Sequence, residues 1–169
     1  KPTTLAELVA FAKANPRRLT IAHLGPSTVG YVLTLQLRAL AAIEMEEETF
    51  DEPAQVYADL AADRVSLFFD ETGGAAPLIA AERVKAYAAT AAVTSGPSIA
   101  LFGHAGSSVG LRSMDALSWY GITAPVSTPP AIVARLQHEV AKYVASEEGQ
   151  KALRSRGLRP IASTPEEFA

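Results

Sequence analysis

Apolar residues recur at helical spacing near the start of the chain, where Leu5, Leu8, Val9 and Ala12 fall on one face. Thr4 and Glu7 stand at capping-box spacing ahead of that face, so a hydroxyl and a carboxylate can each take a free amide of the first turn. Asn15-Pro16 ends the segment, and Leu19-Thr20-Ile21-Ala22 reads as a short strand. A turn follows at Gly25-Pro26-Ser27-Thr28, then a helix from about Thr28 with Leu33, Leu37 and Leu40 inward. Residues 44–49 are the next strand, Pro53 to Ala62 a helix with Val56 and Leu60 inward, and Val65 to Phe69 a buried strand ending at Asp70. Gly73-Gly74 opens a short helix to about Ala81, and Val84 to Thr90 reads as a strand. Strands alternating with helices at this spacing predict an α/β fold with a mostly parallel sheet covered by helices.

From Ser95 to Ser113 the chain turns to Gly, Ser and small apolar residues, the composition of a loop or a crossing between lobes. Leu117 to Ala124 reads as a strand through Trp119 and Tyr120. Thr128-Pro129-Pro130 begins a long helix, since proline is tolerated where the amides are unpaired. Ile132, Leu136, Val140 and Tyr143 line its apolar face. A helix from Glu148 to Arg156, a short strand from Leu158 to Ala162 and a helix opening at Thr164-Pro165-Glu166-Glu167 complete the pattern.

The 169 residues, 49% hydrophobic and 20% charged, are enough for one domain or two small lobes with a true core. A formal charge of −3 offers no basic field for nucleic acid. The lack of cysteine excludes disulfides and thiolate metal sites. Apolar runs are broken too early for a membrane-spanning helix, so direct membrane insertion is not expected. Lys1 is not a natural start, and the expectation is a chain trimmed at both ends that carries no signal peptide.

The stretch from Ile21 to Val29 is the most informative. Gly25 permits a sharp turn, and Ser27, Thr28 and the free amides of the following helix can converge on an anion, because a helix start carries about half a positive charge. From spacing alone the plain helix cap is the commoner reading, since every helix has such an end, and it is not a P-loop, since no Gly-Lys-Ser/Thr follows. His23 adjoins the turn, as a ligand contact or as a structural residue. Six carboxylates crowd residues 44–52; as a strand, Glu44, Glu46 and Glu48 share one face, which suits a charged edge strand better than a metal site. Gly106-Ser107-Ser108-Val109-Gly110 matches the nucleophile-elbow pattern, with Asp115 and His138 following in triad order. The rival reading is therefore a serine hydrolase using Ser108. No metal site and no cofactor are expected.

Several of these segments resemble Bug-type solute-binding proteins, the periplasmic receptors of tripartite tricarboxylate transporters. They are Phe11 to Pro16, Leu19 to Thr28, and Leu60 to Asp70 with its Val-x-Leu-Phe-Phe-Asp. Ser118-Trp119-Tyr120-Gly121, Ala124-Pro125, Thr128-Pro129, Ile132-Val133 with Leu136, and Thr164 to Ala169 continue the likeness in order.

The resemblance implies a type II periplasmic-binding-protein-like fold. Residues 1–115 would form the second ligand-binding lobe, and residues 116–169 the crossing strand and helices that return to a first lobe otherwise missing here. It implies capture of a small carboxylate solute, transporter subunits in the membrane as partners, a periplasmic location and no catalysis. A ligand-sensing subunit for signalling is the alternative within the binding class. The family's ligand turn falls on His23, Gly25, Ser27 and Thr28, and its next ligand-side loop begins at Asp70. His23 and Ser27 stand where Ser and Gly are usual. Thr49-Phe50-Asp51-Glu52 replaces the usual Pro-Tyr-Lys-Gly, exchanging a lysine for two carboxylates. A Pro-Asp-Val-Pro-like stretch expected after Thr94 is replaced by Ile99 to Gly110.

Overall fold

The computed structural model describes residues 2–70, 72–90, 111, 119–156 and 158–168. They fall into two compact units, residues 1–118 and 119–169.

The first unit is built on a parallel sheet. Its strands are β1 (Thr20–His23), β2 (Glu46–Thr49) and β3 (Leu67–Phe68), in the order β2-β1-β3. Ile21 pairs with Glu47 on one side and Leu67 on the other, and Ala22 with Glu48 and Phe68. Parallel neighbours need crossovers, and helices α2 (Val29–Ala41) and α3 (Pro53–Ala61) supply them.

The two crossovers cover opposite faces. Ile21 packs with Leu33 and Leu37 of α2, with Val9 and Ala12 of α1 (Leu5–Ala14), and with Leu111. Ala22 packs with Val56 of α3 and with Val65. This is the period-2 alternation of a strand that is covered on both sides. Ile21 and Val56 are wholly buried, and burial of each such side chain contributes about 1.5–3 kcal/mol.

Local chemistry explains the element ends. Thr4 Oγ1 accepts the Glu7 amide at 3.2 Å, as the capping spacing requires. The Glu7 carboxylate, however, reaches one residue further back and accepts from the amide and hydroxyl of Thr3 at 2.7 and 2.8 Å. Thr28 caps α2 by accepting from the Tyr31 amide, and Ala42 closes that helix in the left-handed region at φ 50°. A fourth helix, α4 (Thr72–Ala80), follows β3.

The second unit holds α5 (Pro130–Ala145), α6 (Glu147–Arg154) and α7 (Pro165–Phe168). Ser146 caps α6. At α7 both halves of a capping box form: the Thr164 amide donates to the Glu167 carboxylate at 2.8 Å, and the Glu167 amide to Thr164 Oγ1 at 3.2 Å. The Trp119 ring stands edge-on to Phe168 at 5.1 Å.

Several expectations are corrected. The stretch 84–90 contains a single bridge at Ala89 rather than a strand, and residues 119–124 and 158–162 are irregular. A run becomes a strand only when a neighbour supplies a continuous ladder of hydrogen bonds, and among the described residues these runs form no more than the bridge at Ala89. Leu40 is 42% exposed; Thr34 and Ala41 occupy the buried face of α2 in its place. On α5, Ile132, Leu136, Val140 and Tyr143 do align, yet each is between 37% and 50% exposed.

Candidate functional site

In an open parallel sheet, ligands bind outside the carboxyl ends of the strands, where successive crossovers leave in opposite directions. In this sheet that point lies between β1 and β3. From β1 the chain runs through the turn at residues 24–28 into α2, on one face. The Phe69-Asp70 segment leaves β3 beside it. A Cβ added to Gly30 would lie 2.9 Å from the Phe69 carbonyl oxygen, so the first turn of α2 sits directly against that segment. The glycine is required by this close approach.

The turn itself is held from beneath. Gly25 has φ +92°, a conformation other residues rarely adopt, although a side chain there would meet nothing within 4 Å. Its amide donates to His23 Nδ1 at 3.1 Å. Its carbonyl accepts from the Thr28 hydroxyl at 2.8 Å and from the Thr28 amide at 3.2 Å. His23 and Gly25 are buried, Thr28 is half-buried, and Pro26, Ser27 and Val29 are exposed. The bend is therefore open to solvent on its outer side.

The free donors differ from those the sequence suggested. The amides of Gly25 and Thr28 are consumed within the turn, and the Thr28 hydroxyl caps the helix. What faces outward is the Ser27 hydroxyl, without a hydrogen-bond partner among the described residues, and the amides of Val29 and Gly30, which begin α2 and have no intrahelical acceptor. No carboxylate occupies the first turn of α2, so its positive end is not neutralised locally. The signal for Val29 and Gly30 was present in the sequence as a Thr cap followed by a glycine.

His23 lies in a chain of polar contacts. Its Nε2 is 3.6 Å from Glu47 Oε2, and the other oxygen of Glu47 is bridged by Arg38 Nη1 of α2. The Tyr31 ring packs edge-on to the imidazole, with centroids 4.7 Å apart. Burial holds the His23 pKa below its ordinary value, because desolvation penalises the imidazolium.

Asp70 is exposed and accepts a hydrogen bond from the Tyr57 hydroxyl of α3. The start of α4 closes over it: a Cβ on Gly74 would lie 2.7 Å from an Asp70 carboxylate oxygen. The structure thus brings His23, Gly25, Ser27, Thr28 and Asp70 to one end of the sheet. A hollow of about 220 Å³ between α3 and α4 is lined by Tyr57, Leu78 and Arg83 among others.

Two of the carboxylates of residues 44–52 pair with arginines. Among the described residues β2 lies at an edge of the sheet, Glu46 pairs with Arg17 at 2.7 Å, and Glu47 with Arg38. Among the described residues no group of three or more potential metal ligands occurs, and no helix is long and apolar enough to cross a membrane. Ser108 and Asp115, and the stretch from Ile99 to Gly110, lie outside the described residues. His138 is an exposed residue of α5.

A parallel sheet covered on both faces, with an open anion-compatible turn at its switch point, is an α/β lobe suited to holding a small ligand. Comparison with known proteins is specific. Residues 2–169 match the tripartite tricarboxylate transporter family receptors (TctC), and the chain belongs to that family. It is 28% identical over 165 residues to a UPF0065 protein from the tcbD-tcbE intergenic region of Pseudomonas sp. strain P51, covering 98% of this chain and 49% of that one. It is similar in structure to R. palustris Rpa4515, solved with adipate, at a TM-score of 0.86 and 26% identity, over 99% of this chain and 55% of that one. MatC from Rhodopseudomonas palustris, solved with bound malate, matches at 0.79 and 25%, over 99% and 56%. The chain thus spans about half the length of these relatives.

Proposed function

We propose that this chain contributes the ligand-turn lobe of a periplasmic receptor that captures a small carboxylate metabolite for a tripartite tricarboxylate transporter, without catalysis. The observation that carries the proposal is the solvent-open turn at the β1/β3 switch point, in a chain matched to the receptor family over residues 2–169. The adipate and malate found with the two similar structures support a carboxylate as the ligand class.

In this reading a carboxylate oxygen accepts from the Val29 and Gly30 amides and the Ser27 hydroxyl, directly or through water. His23, Gly25 and Thr28 shape the turn rather than touch the solute. Asp70 accepts from ligand hydroxyls, or orders water, at the neighbouring strand end. Residues 1–115 act as one lobe, and 116–169 as elements returning to the other. Solute draws the lobes together, and the closed form is what the membrane subunits of the transporter recognise.

The test is thermal denaturation with and without adipate or malate. A ligand that binds only the native state raises the melting temperature, by about 2.7 kcal/mol of stabilisation at a hundredfold excess over Kd. Ser27→Ala and Gly25→Ala are expected to shrink that shift. If neither acid moves the transition, and a neutral or cationic solute does, the carboxylate assignment is wrong. Ester turnover that disappears in Ser108→Ala would instead establish the hydrolase.

A further inference from the structure

We propose that His23 is the positioning residue of the ligand turn: its Nδ1 holds the Gly25 amide, and Glu47, itself anchored by Arg38, keeps the ring proton on Nε2. The inference rests on the functional reading above, and it assigns His23 a role beneath the solute rather than against it.

A neutral imidazole has one acceptor nitrogen and one donor nitrogen. The Gly25 amide points at Nδ1 at 3.1 Å, so Nδ1 is the acceptor and Nε2 carries the proton. Nε2 faces Glu47 Oε2 at 3.6 Å, longer than a hydrogen bond but oriented to favour that tautomer. Among the described residues, the titratable and charged groups facing the ring are Glu47 from β2 and Tyr31 from α2, with Arg38 of α2 reaching it through Glu47. A buried ring at 5% exposure, hydrogen-bonded at Nδ1, facing Glu47 at Nε2 and packed on Tyr31, has little freedom to turn.

The consequence for the turn is specific. Gly25 is gripped at its amide by His23 and at its carbonyl by Thr28. That double grip maintains φ +92° and leaves the Ser27 hydroxyl and the Val29 and Gly30 amides free of partners within the turn. Protonating Nδ1 would remove the acceptor and set two N–H groups against each other. The turn therefore depends on the neutral ring, and desolvation of the ring favours that form.

Two measurements on the full chain test this. Two-bond nitrogen–proton correlation spectra of His23 should show Nε2 protonated and Nδ1 bare, with the Gly25 amide resonance moving in step with the titration of the ring. In adipate and malate titrations, His23→Asn, which keeps an acceptor at the Nδ1 position, should bind within about twofold of the parent. His23→Leu should lose about tenfold, the worth of one hydrogen bond, and its Gly25 amide should exchange faster. A proton found on Nδ1, or a folded Leu variant with parental affinity and an unchanged Gly25 amide, overturns the proposal. If the parent chain binds neither acid, the carboxylate reading falls, and the ring-nitrogen spectra still decide the role of His23.

Discussion

His23 and Glu7 both titrate below their ordinary values in the folded chain, for different reasons. Burial lowers His23, whereas hydrogen bonds from the Thr3 amide and hydroxyl lower the exposed Glu7. For each, the unfolded chain binds the proton more readily, so stability rises with pH across the interval between the folded and unfolded values. The His23 contribution is present above its ordinary value of 6.5 and is lost as pH falls through the depressed one. The Glu7 contribution is present above 4.5 and is lost below it. Urea denaturation between pH 7.5 and pH 5 should show stability decreasing as the pH is lowered, and His23→Asn should flatten that slope. An unchanged slope in the variant would mean that another group carries it. The sequence placed His23 beside the turn but left open whether it touched a ligand. Only the fold shows Nδ1 committed to Gly25 and Nε2 turned towards Glu47.

The helix ends carry their own tests. Ala42 closes α2 at φ 50°, where a Cβ crowds its own backbone at a cost of about 1–2 kcal/mol. Ala42→Gly is expected to raise stability by up to about 1 kcal/mol, part of the relief being offset by a more flexible unfolded chain. Gly30→Ala should do the reverse, because the new Cβ meets the Phe69 carbonyl oxygen at 2.9 Å and that backbone cannot yield cheaply. Its signature is lower stability together with weaker carboxylate binding, since α2 would be pushed off the strand end that forms the site. Chemical denaturation measures the first effect and calorimetric titration the second. At this level the sequence was legible wherever the signal is local. Thr4, Thr28 and Thr164 sit where caps were expected, and α1, α2, α3 and α5 fall close to their predicted spans. Strands fared worse, because Val84 to Thr90 and Leu158 to Ala162 have strand-like composition without a described partner strand.

Trp119, Ile122 and Val126 are more than 70% exposed, and the apolar stripe of α5 is about half exposed. In the proposed reading, where residues 116–169 return to another lobe, this is the surface that packs against it. The single tryptophan reports on it. Acrylamide should quench Trp119 readily in the 169-residue chain, and much less in a longer form that also carries a counterpart of the relatives' other half. Equal quenching in both would argue against residues 116–169 as returning elements.

The succession of helices, their caps, the parallel α/β class and the bend after β1 were determined by the sequence alone, because each depends on residues within a few positions of one another. The order β2-β1-β3, and with it the meeting of Gly30 and Phe69 at one sheet end, was decided by tertiary structure. So was the grip of His23 on Gly25 from a ring steadied by Glu47 and Arg38. The Gly30–Phe69 and His23–Glu47 contacts join residues whose distance along the chain carries no signal, and they exist only once the crossovers have packed on opposite faces of the sheet; the local His23–Gly25 bond depends on them for the orientation of the ring.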